Sequence, residues 1–109
     1  MTVSEMADAL GLKAVTPVGE QQIQGAMAAD LISDVLANGA PGQVWLTIQT
    51  HRNVAAVAST QDLAAVVVTG GREPSKDLIA LANHESVTIL VSDEDTYEIA
   101  GRLYALGVR

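Results

Sequence analysis

The sequence contains no cysteine and no phenylalanine, and its aromatic residues are limited to one tryptophan and two tyrosines. Without cysteine there can be no disulfide, no thiolate metal site and no cysteine nucleophile. So few aromatic rings leave no platform on which nucleic-acid bases could stack. The core must therefore be built from Val, Ile, Leu and Ala, which suits closely packed layers of helix on sheet.

Positive charge is also scarce, with 6 Lys and Arg against 13 Asp and Glu, for a formal net charge of −7. Such a surface repels nucleic acid and anionic membranes. The longest apolar run, from Leu63 to Val68, is far shorter than the roughly 20 residues of a membrane-spanning helix. The first residues also lack the basic start and apolar stretch of a signal peptide. We therefore expect a cytoplasmic protein that binds neither nucleic acid nor membrane.

The length and the hydrophobic pattern predict one domain spanning residues 1–109. Apolar periodicity, caps and turn residues place the elements along the chain. The predicted strands cover 13–15, 21–28, 44–48, 63–69 and 87–91, and the predicted helices cover 3–10, 31–38, 53–59, 75–84 and 93–106. In this scheme Asp30 is the N-cap of the second helix, and Trp45 is a core residue.

The strands at 63–69 and 87–91 are nearly continuous apolar runs rather than alternations. Continuous runs indicate burial on both faces, as in parallel strands covered by helices. Strands that recur with helices between them form right-handed βαβ units. The predicted fold class is therefore α/β, a single layered domain with a mostly parallel β-sheet flanked by helices.

The carboxyl ends of parallel strands meet at one edge of the sheet, where ligands usually bind. Arg52 follows the strand at 44–48, and Gly70, Gly71 and Arg72 follow the strand at 63–69. The glycines would let a ligand approach the backbone, and the two arginines would pair with an anionic group. The alternative is structural, because two glycines after a buried strand often serve only to turn the chain.

The chemistry expected of an enzyme is mostly absent. There is no phosphate-binding Gly-x-x-x-x-Gly-Lys-Ser/Thr loop, and the two histidines, His51 and His84, have no partner at metal-ligand spacing. His51 beside Arg52 has the chemistry of an acid or base, but a solvated loop histidine is the commoner case. We expect no catalysis, no metal and no cofactor.

The last predicted helix has an unusually wide apolar arc. Tyr97, Gly101 and Tyr104 share one face of it, and Ile99 and Leu103 lie on the neighbouring face. A glycine inside a helix costs roughly 1 kcal/mol relative to alanine, so close approach of another element would be its compensation. Two interpretations stay open: packing within the monomer, or a self-association surface that uses the tyrosines.

The order of several short motifs resembles the DRTGG domain family. Arg52 precedes a Thr69-Gly70-Gly71 triplet that leaves a buried strand, Pro74-Ser75 opens the next helix, and residues 92–98 (Ser-Asp-Glu-Asp-Thr-Tyr-Glu) open the last one. The resemblance covers nearly the whole chain, and implies similarity to the N-terminal domain of HPr kinase/phosphorylase. This sequence has His51 where relatives often have Asp before the arginine, which leaves Asp30 as a candidate acid.

Members of this family are mostly accessory modules. They accompany phosphotransacetylase catalytic domains and the CBS pairs of some inorganic pyrophosphatases. The resemblance thus implies a non-catalytic regulatory or protein-interaction module associated with a metabolic enzyme, and in some relatives the domain mediates dimer contacts. Together with the pattern of the last helix, this predicts a homodimer with Tyr97, Gly101 and Tyr104 at its interface. The alternative is a domain that senses a small anion or nucleotide. Its predicted ligand-binding residues are Asp30, His51, Arg52, Thr69, Gly70, Gly71 and Arg72.

Overall fold

Five strands form one sheet with the spatial order β1-β5-β4-β3-β2 in the computed structural model, which describes residues 1–109. The strands are β1 Lys13–Ala14, β2 Gly25–Ala28, β3 Gln43–Thr47, β4 Ala65–Val68 and β5 Ile89–Val91. The helices are α1 Val3–Leu10, α2 Ile32–Asn38, α3 Asn53–Thr60, α4 Lys76–His84 and α5 Thr96–Ala105.

Strands β2 to β5 are all parallel to their neighbours, and only β1 pairs antiparallel, with β5. The predicted α/β architecture with a mostly parallel sheet is therefore confirmed. Because β2, β3, β4 and β5 point the same way, the loops that follow them leave from one edge. We call it the carboxyl edge of the sheet.

Each face of the sheet has its own hydrophobic core. Val66 and Val68 of β4 pack with residues of α2, α3 and α4, whereas Val67 packs with residues of α1 and α5. Burial of β4 on both faces explains why its sequence is continuously apolar. Trp45 is fully buried, as predicted, and its Nε1 donates a hydrogen bond to Ala29 O at 2.7 Å.

Three local predictions were wrong. The predicted strand over 21–28 is only Gly25–Ala28, since Gln22 forms just an isolated bridge with Thr2. Asp30 does not cap α2, whose N-cap is Leu31 with no side-chain hydrogen bond. The last helix begins at Thr96 rather than at residue 93, because the Asp95 side chain accepts a hydrogen bond from the Glu98 N–H and so acts as N-cap.

Candidate functional site

Backbone hydrogen bonds tie together the three loops that follow β3, β4 and β5. Ser75 N, at the end of the second loop, donates to Thr50 O in the first at 2.9 Å. Gly70 N donates to Glu94 O at 2.8 Å, and Gly71 N to Ser92 O at 2.9 Å, which joins the second loop to the third. The segments carrying Arg52 and Gly70–Arg72 therefore lie side by side at the carboxyl edge.

Thr69 joins two strands and a helix. Its side chain is fully buried, and its Oγ1 donates to Thr47 O at 3.3 Å. The same oxygen lies 2.6 Å from Thr96 Oγ1 in the first turn of α5. In this second bond either hydroxyl can be the donor. Thr69 thereby fixes the start of α5 against the ends of β3 and β4.

Gly70 and Gly71 both adopt left-handed backbone conformations, with φ of +76° and +70°. At each of these positions a residue with a Cβ would destabilise the fold by roughly 1–2 kcal/mol. The two glycines turn the chain sharply enough for both amides to reach the loop after β5. They are also exposed, so the backbone here is open to a ligand.

Arg52 and Arg72 are exposed, and neither has a carboxylate within 4.0 Å; the only salt bridge of the chain joins Arg102 to Glu94 at 2.6 Å. The guanidinium of Arg72 lies over Gly70, with its Nε 3.7 Å from where a Cβ on that residue would be. Arg52 lies instead beside α4, where it lines an open hollow with Asp77 and other residues of that helix. The structure thus groups Arg72 with the glycines and turns Arg52 towards α4.

The loop after β3 also offers free hydrogen-bond donors. The N–H groups of Thr50, His51, Arg52 and Asn53 make no hydrogen bond within the protein, and α3 begins without a side-chain cap. Unpaired N–H groups at the start of a helix carry partial positive charge. This loop and its arginine therefore present donors to the solvent.

Asp30 secures the end of β3. Its Oδ1 accepts hydrogen bonds from Thr47 Oγ1 and from Ile48 N, each at 3.0 Å, while Gln49 Nε2 donates to its carbonyl oxygen at 2.7 Å. These contacts replace the helix-capping role predicted from sequence. They bring Asp30 to the same edge as His51, which is exposed in the neighbouring loop.

Sequence reasoning missed one cation at this edge. Lys13 of β1 pairs in register with Val91, the last residue of β5, and lines a hollow with Ser92 and Asp93. Because β1 is antiparallel, its first residue lies beside the end of β5. No local signal could place Lys13 there, since its position depends on long-range strand pairing.

The outer face of α5 is exposed. The side chains of Tyr97 and Tyr104 are 87% and 57% exposed, whereas Ile99 and Leu103 are buried against the sheet. A Cβ added at Gly101 would meet no atom within 4 Å. Within the monomer, therefore, no other part of the chain approaches Gly101 closely, so packing within the monomer does not account for this glycine.

An apolar groove beside this helix was also missed. It lies between α5 and the edge strand β2 and has a volume of about 230 Å³. Its lining residues are Ala26, Met27, Ala28, Leu46, Ala100, Leu103, Tyr104, Val108 and Arg109. The guanidinium carbon of Arg109 lies 3.9 Å from the centre of the Tyr104 ring, a cation–π contact at one end of the groove.

Two further observations concern metal binding and membrane insertion. The His, Asp and Glu side chains form no group of three or more that could hold a metal ion. None of the five helices has the length and apolar character needed to cross a bilayer.

The fold and the joined loops define a three-layer α/β domain organised around a Thr-Gly-Gly turn at the carboxyl edge. The chain belongs to the DRTGG domain family, whose model matches residues 16–106. No curated protein sequence matches it. Its fold is similar to a crystal structure of the CBS and DRTGG domains from the regulatory region of Clostridium perfringens pyrophosphatase, complexed with the activator diadenosine tetraphosphate. The TM-score is 0.71 at 18% sequence identity, and the match covers 94% of this chain but only 45% of that one.

Proposed function

We propose that this domain is a non-catalytic regulatory module of the cytoplasm that works as a homodimer and serves a metabolic enzyme. Two findings support it. In the pyrophosphatase the DRTGG domain is part of a regulatory region. In this chain the side chains of Thr69 and Asp30, at the ends of two strands, make hydrogen bonds to neighbouring elements.

The main support for a dimer is the exposure of aromatic side chains on the outer face of α5. Tyr97 and Tyr104, two of the three aromatic residues of the chain, flank Gly101 on this face and are largely exposed. Aromatic side chains are enriched at the buried centres of interfaces, and a glycine lets a partner helix come close. A second copy would cover the tyrosines and account for the glycine.

Light scattering tests this proposal. The wild-type chain should show twice its 11.3 kDa mass at tens of micromolar. The double variant Tyr97→Ala, Tyr104→Ala should be monomeric with an unchanged circular dichroism spectrum. Leu31→Ala, which truncates an exposed leucine (69%) beside α2 on the other face of the sheet, is the matched control and should stay dimeric. A wild-type chain that is monomeric throughout contradicts the dimer.

The enzyme partner is tested separately. A tagged chain should co-purify with one metabolic enzyme from its native cells, and adding the purified chain should change the kcat or KM of that enzyme. An enzyme whose kinetics are identical with and without the chain is not its target.

A second function, sensing of a small anion or nucleotide, is favoured by the carboxyl edge. Arg52 and Arg72 have no carboxylate partner, and the N–H groups of residues 50–53 are free. Guanidinium and free amide groups are common phosphate ligands. The structurally similar pyrophosphatase region was crystallised with a dinucleoside polyphosphate. Since Thr69 is buried, a ligand here would contact Gly70, Gly71 and Arg72 instead.

Thermal shift measurements with diadenosine tetraphosphate, ATP and inorganic phosphate test this function. A ligand that binds only the folded state raises Tm, by an amount that grows with its concentration. The double variant Arg52→Ala, Arg72→Ala should lose the shift. The control Arg109→Ala removes an arginine whose guanidinium lies on the Tyr104 ring rather than at these loops, and it should keep the shift. Equal Tm shifts in all three proteins would show that Arg52 and Arg72 are not part of the binding site.

A further inference from the structure

Asn38 is the last residue of α2, and Gly39 follows it to make the only asparagine–glycine pair of the chain. We infer that Asn38 is the position at which this chain deamidates spontaneously, and that opening of the last turn of α2 sets the rate. The other asparagines, Asn53 and Asn83, are followed by valine and histidine, whose side chains crowd the backbone nitrogen that attacks in this reaction. Glycine has no side chain to hinder that attack.

The fold requires a glycine at position 39. A Cβ there would lie 2.6 Å from the backbone oxygen of Val35, which is closer than real Cβ atoms come. That oxygen is part of α2, and the Val35 side chain is fully buried, so neither can give way without disturbing the core. The structural need that places glycine after α2 therefore leaves the amide of Asn38, an exposed residue, next to an unhindered nitrogen.

The reaction needs no partner other than water. The backbone nitrogen of Gly39 attacks Cγ of Asn38, and a bond forms between these two atoms. The bond from Cγ to Nδ2 breaks, and the proton lost by the Gly39 nitrogen ends on the ammonia that leaves. Water then opens the resulting cyclic succinimide at either carbonyl, which gives aspartate or isoaspartate at position 38.

Two hydrogen bonds restrain both reacting groups while α2 is intact. Gly39 N donates to Val35 O at 2.7 Å, which retains the proton that must leave. Asn38 Nδ2 donates to Asp34 Oδ1 at 2.7 Å, which holds the amide against the preceding turn. The last turn must therefore open before the ring can close. Since α2 has only 7 residues and no side-chain cap at its start, its end should open at a lower free energy than the core.

Conversion would also keep this turn open. A carboxylate at position 38 lies four residues after Asp34, and like charges at this spacing destabilise a helix. It also places negative charge at the C-terminal end of α2, where the helix dipole disfavours it. Leu36 O, in the same turn, accepts a hydrogen bond from Gln61 Nε2 at 2.9 Å. The modification should therefore loosen the contact between α2 and the end of α3.

Peptide mapping by mass spectrometry measures the reaction at each asparagine separately. In folded protein incubated at mildly alkaline pH, Asn38 should convert to a mixture of aspartate and isoaspartate, while Asn53 and Asn83 keep their amides. In urea the conversion of Asn38 should be faster, because the two restraining hydrogen bonds are then absent.

Matched variants test whether the last turn of α2 sets the rate. Ala37→Gly, at an exposed position in that turn, weakens the helix and should raise the rate at Asn38 about fivefold. Ala80→Gly makes the same change at an exposed position of α4 and should leave that rate unchanged. Asp34→Ser removes the acceptor of the Asn38 amide at a similar helix propensity, and should raise the rate roughly twofold to tenfold.

Each result decides one part of the proposal. An Asn38 that keeps its amide in the folded protein overturns the site. Equal acceleration by Ala37→Gly and Ala80→Gly would show that the whole domain must unfold first, and would overturn control by the last turn of α2. A rate that neither Ala37→Gly nor Asp34→Ser changes overturns that control as well. Acceleration by these two variants alone supports both parts.

Discussion

Replacing Thr69 by valine removes one hydroxyl from the centre of the carboxyl edge and keeps the side chain's shape. That hydroxyl bonds Thr47 O and Thr96 Oγ1. Each net hydrogen bond contributes roughly 0.5–1.5 kcal/mol to stability. Thr47 O keeps a second bond, from Thr69 N at 2.9 Å, so it is not left unpaired. We therefore expect Thr69→Val to lower the free energy of unfolding by about 2 kcal/mol.

Thr96→Val supplies the partner for a double-mutant cycle. Removing the Thr96 hydroxyl breaks one hydrogen bond, so we expect the free energy of unfolding to fall by about 1 kcal/mol. In the double variant the shared bond is removed once rather than twice, so the loss should fall short of the sum by about 1 kcal/mol. Thr60→Val, at the exposed end of α3, is the matched control and should change stability by less than about 0.5 kcal/mol.

Urea unfolding at one fixed protein concentration measures these differences in stability. The fluorescence of Trp45 monitors the unfolding. This single tryptophan is fully buried, so its emission should shift to the red when the core opens. A Thr69→Val protein as stable as the wild type would show that its hydroxyl does not hold the edge together. Strictly additive losses would show that the 2.6 Å contact between the two hydroxyls is not a stabilising bond.

Three smaller predictions concern single positions. Gly71→Ala, at φ +70°, should lose roughly 1–2 kcal/mol in urea unfolding, and an unchanged midpoint would contradict the backbone requirement. Asp95→Ala removes the N-cap bond to Glu98 N and should cost about 1 kcal/mol; a stability equal to wild type would remove its capping role. Hydrogen bonding to the backbone N–H of Thr2, and then to its side chain, lowers the pKa of Glu5 below its ordinary value of 4.5. Its stabilising effect on α1 should therefore be full above the unfolded-state pKa and lost as the pH falls through the lower folded value; an NMR titration midpoint at or above 4.5 would contradict this.

The order of the elements, and the shared edge from which the loops carrying Arg52 and Gly70–Arg72 leave, could be predicted from sequence. The apolar run of β4 is continuous because Val66 and Val67 face different cores, so its parallel character is encoded locally. Once the strands are parallel, the loops after them must share an edge. This reasoning needs no knowledge of which strands are neighbours.

The features that depend on strand neighbours could not be predicted. Asp30 is a good N-cap in its local sequence. In the structure, however, its carboxylate accepts hydrogen bonds from Thr47 and Ile48, at the end of the adjacent strand, instead of from the first turn of α2. Lys13 reaches the carboxyl edge only because β1 pairs antiparallel with β5. The groove beside α5 exists because β2 is the last strand of the sheet, a position that its own residues do not specify.

The central claim is the proposal that the outer face of α5 is the surface through which this domain contacts a second copy. Amide NMR spectra recorded from micromolar to millimolar concentration test it residue by residue. The claim predicts concentration-dependent shifts centred on residues 96–105, with none in α4. Spectra that do not change with concentration, or shifts centred on α4, would contradict it.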